Sequence, residues 1–219
     1  MTKRKPAPKK LKRHDPSLAN ENVLIVGASG SGKSAFLRQT IDFKQPRIVA
    51  WDPDEDYRLP RVKSMAAFER MVKRSGFGPI RCALTVQPNE DNFERYAQLV
   101  FAILHQAAPM AVICDEIADV TRVSKATEHW GQLCRKIRKY GGKLYAITQR
   151  PQECDKTIMN QVEYTWCGAL KTMASYKYMA GEMGVSVADL QSIENIHRKQ
   201  VQYWIRKGTD AATLETIKF

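Results

Sequence analysis

Residues Gly27 to Ser34 read GASGSGKS, a glycine-rich run that closes on a lysine and a hydroxyl. The spacing fits G-x-x-x-x-G-K-[ST], the Walker A pattern. Glycines let such a loop curl its backbone N–H groups around phosphate oxygens. The lysine can then reach the β- and γ-phosphates, and the hydroxyl after it can bind Mg²⁺. Those roles fall to Lys33 and Ser34. The expected ATP-binding stretch is Gly27, Ala28, Ser29, Gly30, Ser31, Gly32, Lys33, Ser34 and Ala35. The plain alternative is a Gly/Ser turn that happens to hold a lysine. The flanks argue against it: Asn22 to Val26 reads as a buried strand and Ala35 to Thr40 as a helix. A helix N-terminus adds its positive dipole end to the loop.

An acidic pair, Asp115-Glu116, follows the apolar run Met110 to Cys114. Four apolar residues ending in aspartate is the Walker B pattern, and Asp115 can hold Mg²⁺ beside Ser34. Glu116 is placed to orient and deprotonate a water in line with the γ-phosphate. Without the upstream loop, both would read as solvated acids at a strand end. Gln149 ends the strand-like run Lys143 to Thr148. An amide both donates and accepts, so it can tell ATP from ADP. Its plain reading is an exposed loop glutamine.

These groups need a sheet to hold them. Further strands are predicted at Arg47 to Trp51, Ile80 to Val86 and Tyr164 to Leu170, with a hairpin of Val201 to Arg206 and Thr213 to Phe219. Helices are predicted at about Ser64 to Lys73, behind Asn89, at about Lys125 to Tyr140, at Thr172 to Glu182 and at Val187 to Ile193. The helix behind Asn89 sets Phe93, Tyr96, Ala97, Val100, Phe101 and Leu104 on one stripe, which reads as core. Alternating strands and helices predict an α/β fold: a mainly parallel central sheet, helices on both faces and a C-terminal β-hairpin. Two strands separate the glycine loop from Asp115 in sequence. That sets the chain apart from kinase-type loop proteins and predicts a strand, tipped by Gln149, inserted between the two.

The chain has 219 residues and a net charge of +12. A basic balance predisposes to polyanions such as nucleic acid or an anionic membrane face. Residues 1–20 carry Lys3, Arg4, Lys5, Lys9, Lys10, Lys12 and Arg13 against Asp15 alone, with little apolar content. They are expected to form a mobile arm that solubilises, binds DNA or docks on a partner. Residues 21–219 are expected to form a single P-loop ATPase domain. Cys82, Cys114, Cys134, Cys154 and Cys167 form no ligand-spaced cluster, which with no secretory signal suggests a reducing compartment. No apolar run reaches the length of a membrane span.

GASGSGKS, WDPDEDY, VICDE and AITQRPQ occur in the order found in the FtsK–HerA group of DNA-pumping ATPases, which the chain resembles over about residues 22–150. Its small size is similar to the genome-packaging ATPases of membrane-containing (tectivirus-like) phages and archaeal viruses. The resemblance implies a RecA-like P-loop NTPase of the ASCE type. Carried over residue by residue, it implies phosphate and metal binding by Lys33 and Ser34, metal binding by Asp115, a base at Glu116 and a sensor at Gln149. It also implies ATP and Mg²⁺ as cofactors, double-stranded DNA as cargo and a homo-oligomeric ring, usually a hexamer. Capsid vertex or portal proteins are further candidate partners. The host-cell cytoplasm, or the packaging vertex of the virion, is the expected location.

Within that group an arginine from the neighbouring subunit completes each site. The helix at about Lys125 to Tyr140 spends Trp130, Leu133, Cys134 and Ile137 on the core, leaving Arg135 and Lys139 opposite and Arg138 to one side. It leads through Gly141-Gly142 into the strand of Gln149, so its basic side is expected near the ATP edge. Arg135, then Arg138, are the predicted catalytic arginines; a solvated basic face or a DNA contact is the alternative. The leading expectation is a viral DNA-packaging motor. An assembly or secretion ATPase acting on protein or an extruded virion, a small-molecule phosphotransferase and a nucleotide switch stay open beside it.

Overall fold

A computed structural model describes residues 12–196 and 199–218. Strand β1 (Val23–Val26) runs into the glycine loop and helix α1 (Lys33–Thr40). Strand β2 (Arg47–Trp51) is followed by the acidic turn and a short β3 (Arg61–Val62). Ser64 caps α2 (Met65–Ser75) by accepting from Ala67 N, and β4 (Ile80–Leu84) follows. Asn89 caps α3 (Glu90–Ala102) in the same way, with Glu90 and Asp91 in its first turn. Next come β5 (Met110–Cys114), α4 (Glu128–Lys136) with a 3₁₀ turn at Ile137–Tyr140, and β6 (Gly142–Thr148). The remainder is α5 (Lys156–Gln161), β7 (Tyr164–Cys167), α6 (Met173–Met183), α7 (Val187–Gln191), β8 (Asn195–Ile196), β9 (Gln200–Lys207) and β10 (Thr213–Lys218).

All these strands form one sheet in the order β10-β9-β7-β1-β6-β5-β2-β4-β3, with β8 paired to β9. The seven strands from β7 to β3 are parallel; β9 runs antiparallel to β7, β8 and β10. The fold is therefore the expected α/β one, with a mainly parallel sheet and a C-terminal hairpin.

Alternation along β1 divides the core. Val23 and Ile25 face α1, together with Phe36, Leu37, Trp166 and Tyr203. Leu24 and Val26 face the side covered by α2 to α7, where Phe68, Phe93, Trp130, Ile158, Met179 and Leu190 pack. Helices do lie on both faces, but unequally. The handedness of crossovers explains this. From β1 to β2, and from β2 to the far edge at β3, the chain moves one way across the sheet. From β3 through β4, β5 and β6 to β7 it moves back. A right-handed crossover puts outward connections on one face and returning ones on the other. The β2–β3 connection accordingly brings Tyr57 and Leu59 to the α1 face.

Residues 12–20 correct the expectation of an arm that runs free to residue 20. The Arg13 guanidinium donates to the carbonyls of Phe101, Ala102 and Leu104 at the end of α3, and lies over the rings of Phe101 and Tyr140. A cation is favourable at a helix C-terminus. Asp15 N donates to Lys139 O at 2.7 Å. Lys3, Arg4, Lys5, Lys9 and Lys10 lie outside the described residues, as does Phe219 at the end of the predicted hairpin. No helix among the described residues is long and apolar enough to cross a membrane.

Candidate functional site

Parallel strands bring their carboxyl ends to one edge, and the chemistry-bearing residues collect there. Strand β6 sits between β1 and β5, with Val26 level with Thr148 and Cys114 level with Ala146. The loop after β1, Asp115 and Glu116 after β5, and Gln149 after β6 therefore open on one edge. They line a single cleft of about 730 Å³ with Ser29, Lys33 and Ser34.

Two loop glycines, Gly30 and Gly32, have φ of 77° and 96°, the left-handed region that suits glycine. Lys33 Nζ donates back to the carbonyls of Gly27 at 2.8 Å and Ala28 at 3.0 Å. The ammonium thus spans the curl of the loop. Burial pulls it below its ordinary range, while Asp115, Glu116 and Asp56 favour its charge.

Asp115 is held on both oxygens. Tyr57 Oη donates to Oδ2 at 2.6 Å and Glu116 N to Oδ1 at 2.9 Å. Burial pushes its carboxyl above the usual range, and the Tyr57 hydroxyl pulls it back. Glu116 has φ of 41°, a conformation a non-glycine residue adopts at a cost. Its carboxylate reaches the tip of β6, accepting from Thr148 Oγ1 at 3.2 Å and Gln149 N at 3.3 Å. Burial raises this carboxyl too, which makes the ionised form a stronger base.

A magnesium ion carried with a nucleotide takes one or two protein oxygens rather than an all-protein cage. The residues present fit that demand. Ser34 lies in the first turn of α1, and each Asp115 oxygen keeps a lone pair beyond its single hydrogen bond. Among the described residues no group of three or more His, Cys, Asp or Glu could hold a metal without the nucleotide.

Other residues entered the site unannounced by the sequence. Tyr57 comes from the acidic turn, whose shape is set by Asp52. Asp52 is fully buried and accepts from Asp56 N at 2.8 Å and Tyr57 N at 3.1 Å. Arg150 pairs with Asp119 and with Glu153, tying the tip of β6 to the turn after Glu116. Asn195, Ile196, Gln200 and Val201 line the cleft from the C-terminal strands, and Arg38 from α1. WDPDEDY and ITQRP mark two of these segments in the sequence, but not their targets.

Burial pushes the Asp52 carboxyl up to about 6 from an ordinary 3.8. Between those values the folded chain holds more protons than the unfolded one, so stability falls as pH rises through the window. An asparagine cannot ionise and escapes this loss. Wild type is expected to lose about 1–3 kcal/mol relative to Asp52→Asn between roughly pH 4 and pH 7. Urea unfolding of both proteins at the two pH values measures it. A constant difference would mean that Asp52 titrates as an ordinary aspartate.

The expected placement of the arginines is corrected. Helix α4 starts near the carboxyl edge and descends to the amino ends of the strands, because β6 must begin again from there. Arg135 sits in its last turn and is exposed. Arg138 donates to the carbonyls of Pro16 and Leu18 and borders a separate hollow with Gly142 and Lys143, at the start of β6. Neither lines the nucleotide cleft of its own subunit. Arg38 does, and Arg58 and Arg61 border the hollow beside Asp56 and Tyr57.

No protein-family model matches the chain. Among solved structures it is similar to the genome packaging NTPase B204 from Sulfolobus turreted icosahedral virus 2 in complex with AMPPCP. That likeness has a TM-score of 0.71 at 14% identity, over 91% of this chain and 97% of that one. It is also similar to the pCW3 conjugation coupling protein TcpA with ATPγS, with a TM-score of 0.59 at 14% identity, over 89% of this chain and 59% of that one. Likenesses this distant in sequence speak for the fold alone, that of a P-loop NTPase. The sequence relation goes further. Protein P9 of Pseudoalteromonas phage PM2 is 56% identical over 211 residues, 96% of this chain and 97% of the phage protein. Identity at that level across both chains is common descent and not shared architecture alone: the chain belongs to the family of protein P9 of phage PM2.

Proposed function

We propose that the chain is an ATP-hydrolysing motor that works as a homo-oligomeric ring, hexameric by the habit of its group, and moves double-stranded DNA into a preformed viral capsid. The observation that carries the ATPase reading is β6 lying between β1 and β5. It brings Glu116 and Gln149 to the edge where Lys33 curls its loop. Lys33 would hold the β- and γ-phosphates, Glu116 would take the proton of the attacking water, and Gln149 would report the γ-phosphate. Mg²⁺ bound at Ser34 and Asp115 would neutralise phosphate charge. An arginine from the next subunit would complete each site.

The DNA reading is supported by the net charge of +12 and by a packaging NTPase of the same fold. Arg58, Arg61, Lys63, Arg122, Lys125 and the arm are candidate contacts. Arg61 and Arg122 already pair with Glu55 and Glu90, which lowers their free charge. The arm, followed by one ATPase domain, would add its cations to these contacts, and the host cytoplasm or the packaging vertex would be the place of work.

The test is hydrolysis with and without duplex DNA at about 50 and 200 mM salt. Backbone contacts release counterions, so the DNA concentration for half-stimulation should rise by orders of magnitude between the two. Stimulation should depend weakly on base sequence. Hydrolysis indifferent to duplex DNA at low salt would turn the reading to a cargo of protein or an extruded virion.

A further inference from the structure

The cleft has two ends of different chemistry. At one end are the tips of β5 and β6, with Asp115, Glu116 and Gln149. At the other end, on the far side of the β1 loop, lie β8 and β9, since the sheet runs β9-β7-β1-β6-β5. Asn195 and Ile196 of β8 and Gln200 and Val201 of β9 line this end. No sequence motif gave these residues a role.

The two strands are held in register and against the loop. Asn195 pairs with Val201 and Ile196 with Gln200 in an antiparallel ladder. Val201 is packed on the phosphate loop so closely that a Cβ at Gly32 would stand 2.5 Å from its Cγ1. That contact fixes how far the ladder stands from the phosphates. Ile196 is 46% exposed, an isoleucine open to water in a cleft that also holds Ser29, Lys33, Asp54 and Asp115. Small-molecule sites pair apolar surface with a few polar groups that fix orientation. Ile196 with the carboxamides of Asn195 and Gln200 makes such a set.

A triphosphate seated in the loop has its outer end at Glu116 and Gln149. Its inner end, which bears the nucleoside, then runs the opposite way, past Ala35 and Arg38 toward β8 and β9. We propose that the β8–β9 ladder is the nucleobase subsite: Ile196 covers a face of the base, and Asn195 and Gln200 meet its polar edge. This rests on the reading of the cleft as a nucleoside triphosphate site.

The test compares ATP with inorganic tripolyphosphate, which has the phosphates and no base. Both are titrated by calorimetry into the full chain and into Ile196→Ala, with Mg²⁺ present. Wild type should bind ATP more tightly than tripolyphosphate. Ile196→Ala should weaken ATP about tenfold, the scale of lost apolar contact in a pocket, and leave tripolyphosphate unchanged. Retained tripolyphosphate binding also shows that the variant is folded. Unchanged ATP affinity, or an equal loss for both ligands, overturns the subsite while the phosphate site stands. A wild-type chain that binds neither ligand overturns the cleft reading, and the subsite with it.

Discussion

Glu116→Gln is expected to keep ATP and lose its hydrolysis. The amide is nearly isosteric, so Asp115 and the loop stay in place. It still accepts from Thr148 Oγ1 and Gln149 N, which now meet the carboxylate at 3.2 and 3.3 Å. What disappears is the basicity that burial raises in Glu116. General base catalysis is worth on the order of 10²–10⁴-fold, and turnover should fall by that much. Steady-state phosphate release and ATP binding are measured on the same protein. If affinity collapses along with rate, Glu116 holds the site together instead of activating water.

Lys33→Ala should strike binding itself. The ammonium lies in a buried setting beside Asp115, Glu116 and Asp56, all of which favour its charge. Without it, those carboxylates face the phosphates with no ammonium between them. Removing one partner of a buried charge pair costs about 2–5 kcal/mol, roughly 30-fold to a few thousand-fold in Kd for ATP. The loop also loses the tether to the carbonyls of Gly27 and Ala28. Direct titration with ATP decides, and an unchanged affinity would sink the loop as the phosphate site.

The chemistry was legible because it is local. GASGSGKS, the aspartate-glutamate pair after an apolar run, and a glutamine after another are patterns of neighbours in the chain. Strands such as Arg47–Trp51 and Met110–Cys114 match their predicted limits residue for residue, since a fully buried strand is a bounded apolar run. Helix α5 escaped because its six residues bury Ile158 alone. It stands on tertiary support: buried Asp155 caps Thr157 and Ile158 and accepts from Trp130 Nε1 at 2.7 Å.

The placement expected for Arg135 and Arg138 shows the boundary. The apolar stripe of α4 correctly told which face turns to the core, but a stripe carries no information about which end of the sheet a helix end meets. That follows from the parallel direction of β5 and β6, which sends α4 downward from the nucleotide edge. The free arm ended early for a similar reason. Arg13 looks like one more cation in a basic run until the end of α3 offers it three carbonyls.

By itself, then, the sequence determined the candidate groups, the strands that carry them and the α/β class. These depend on spacing, which a chain encodes among residues a few positions apart. Only the tertiary structure decided that Tyr57 reaches Asp115, that Arg13 docks on the end of α3, and that the C-terminal ladder closes the cleft beside Gly32. Those are pairings between residues distant in sequence. They are set by the burial of both sheet faces at once and by the right-handed sense of each crossover, neither of which is written in any one segment.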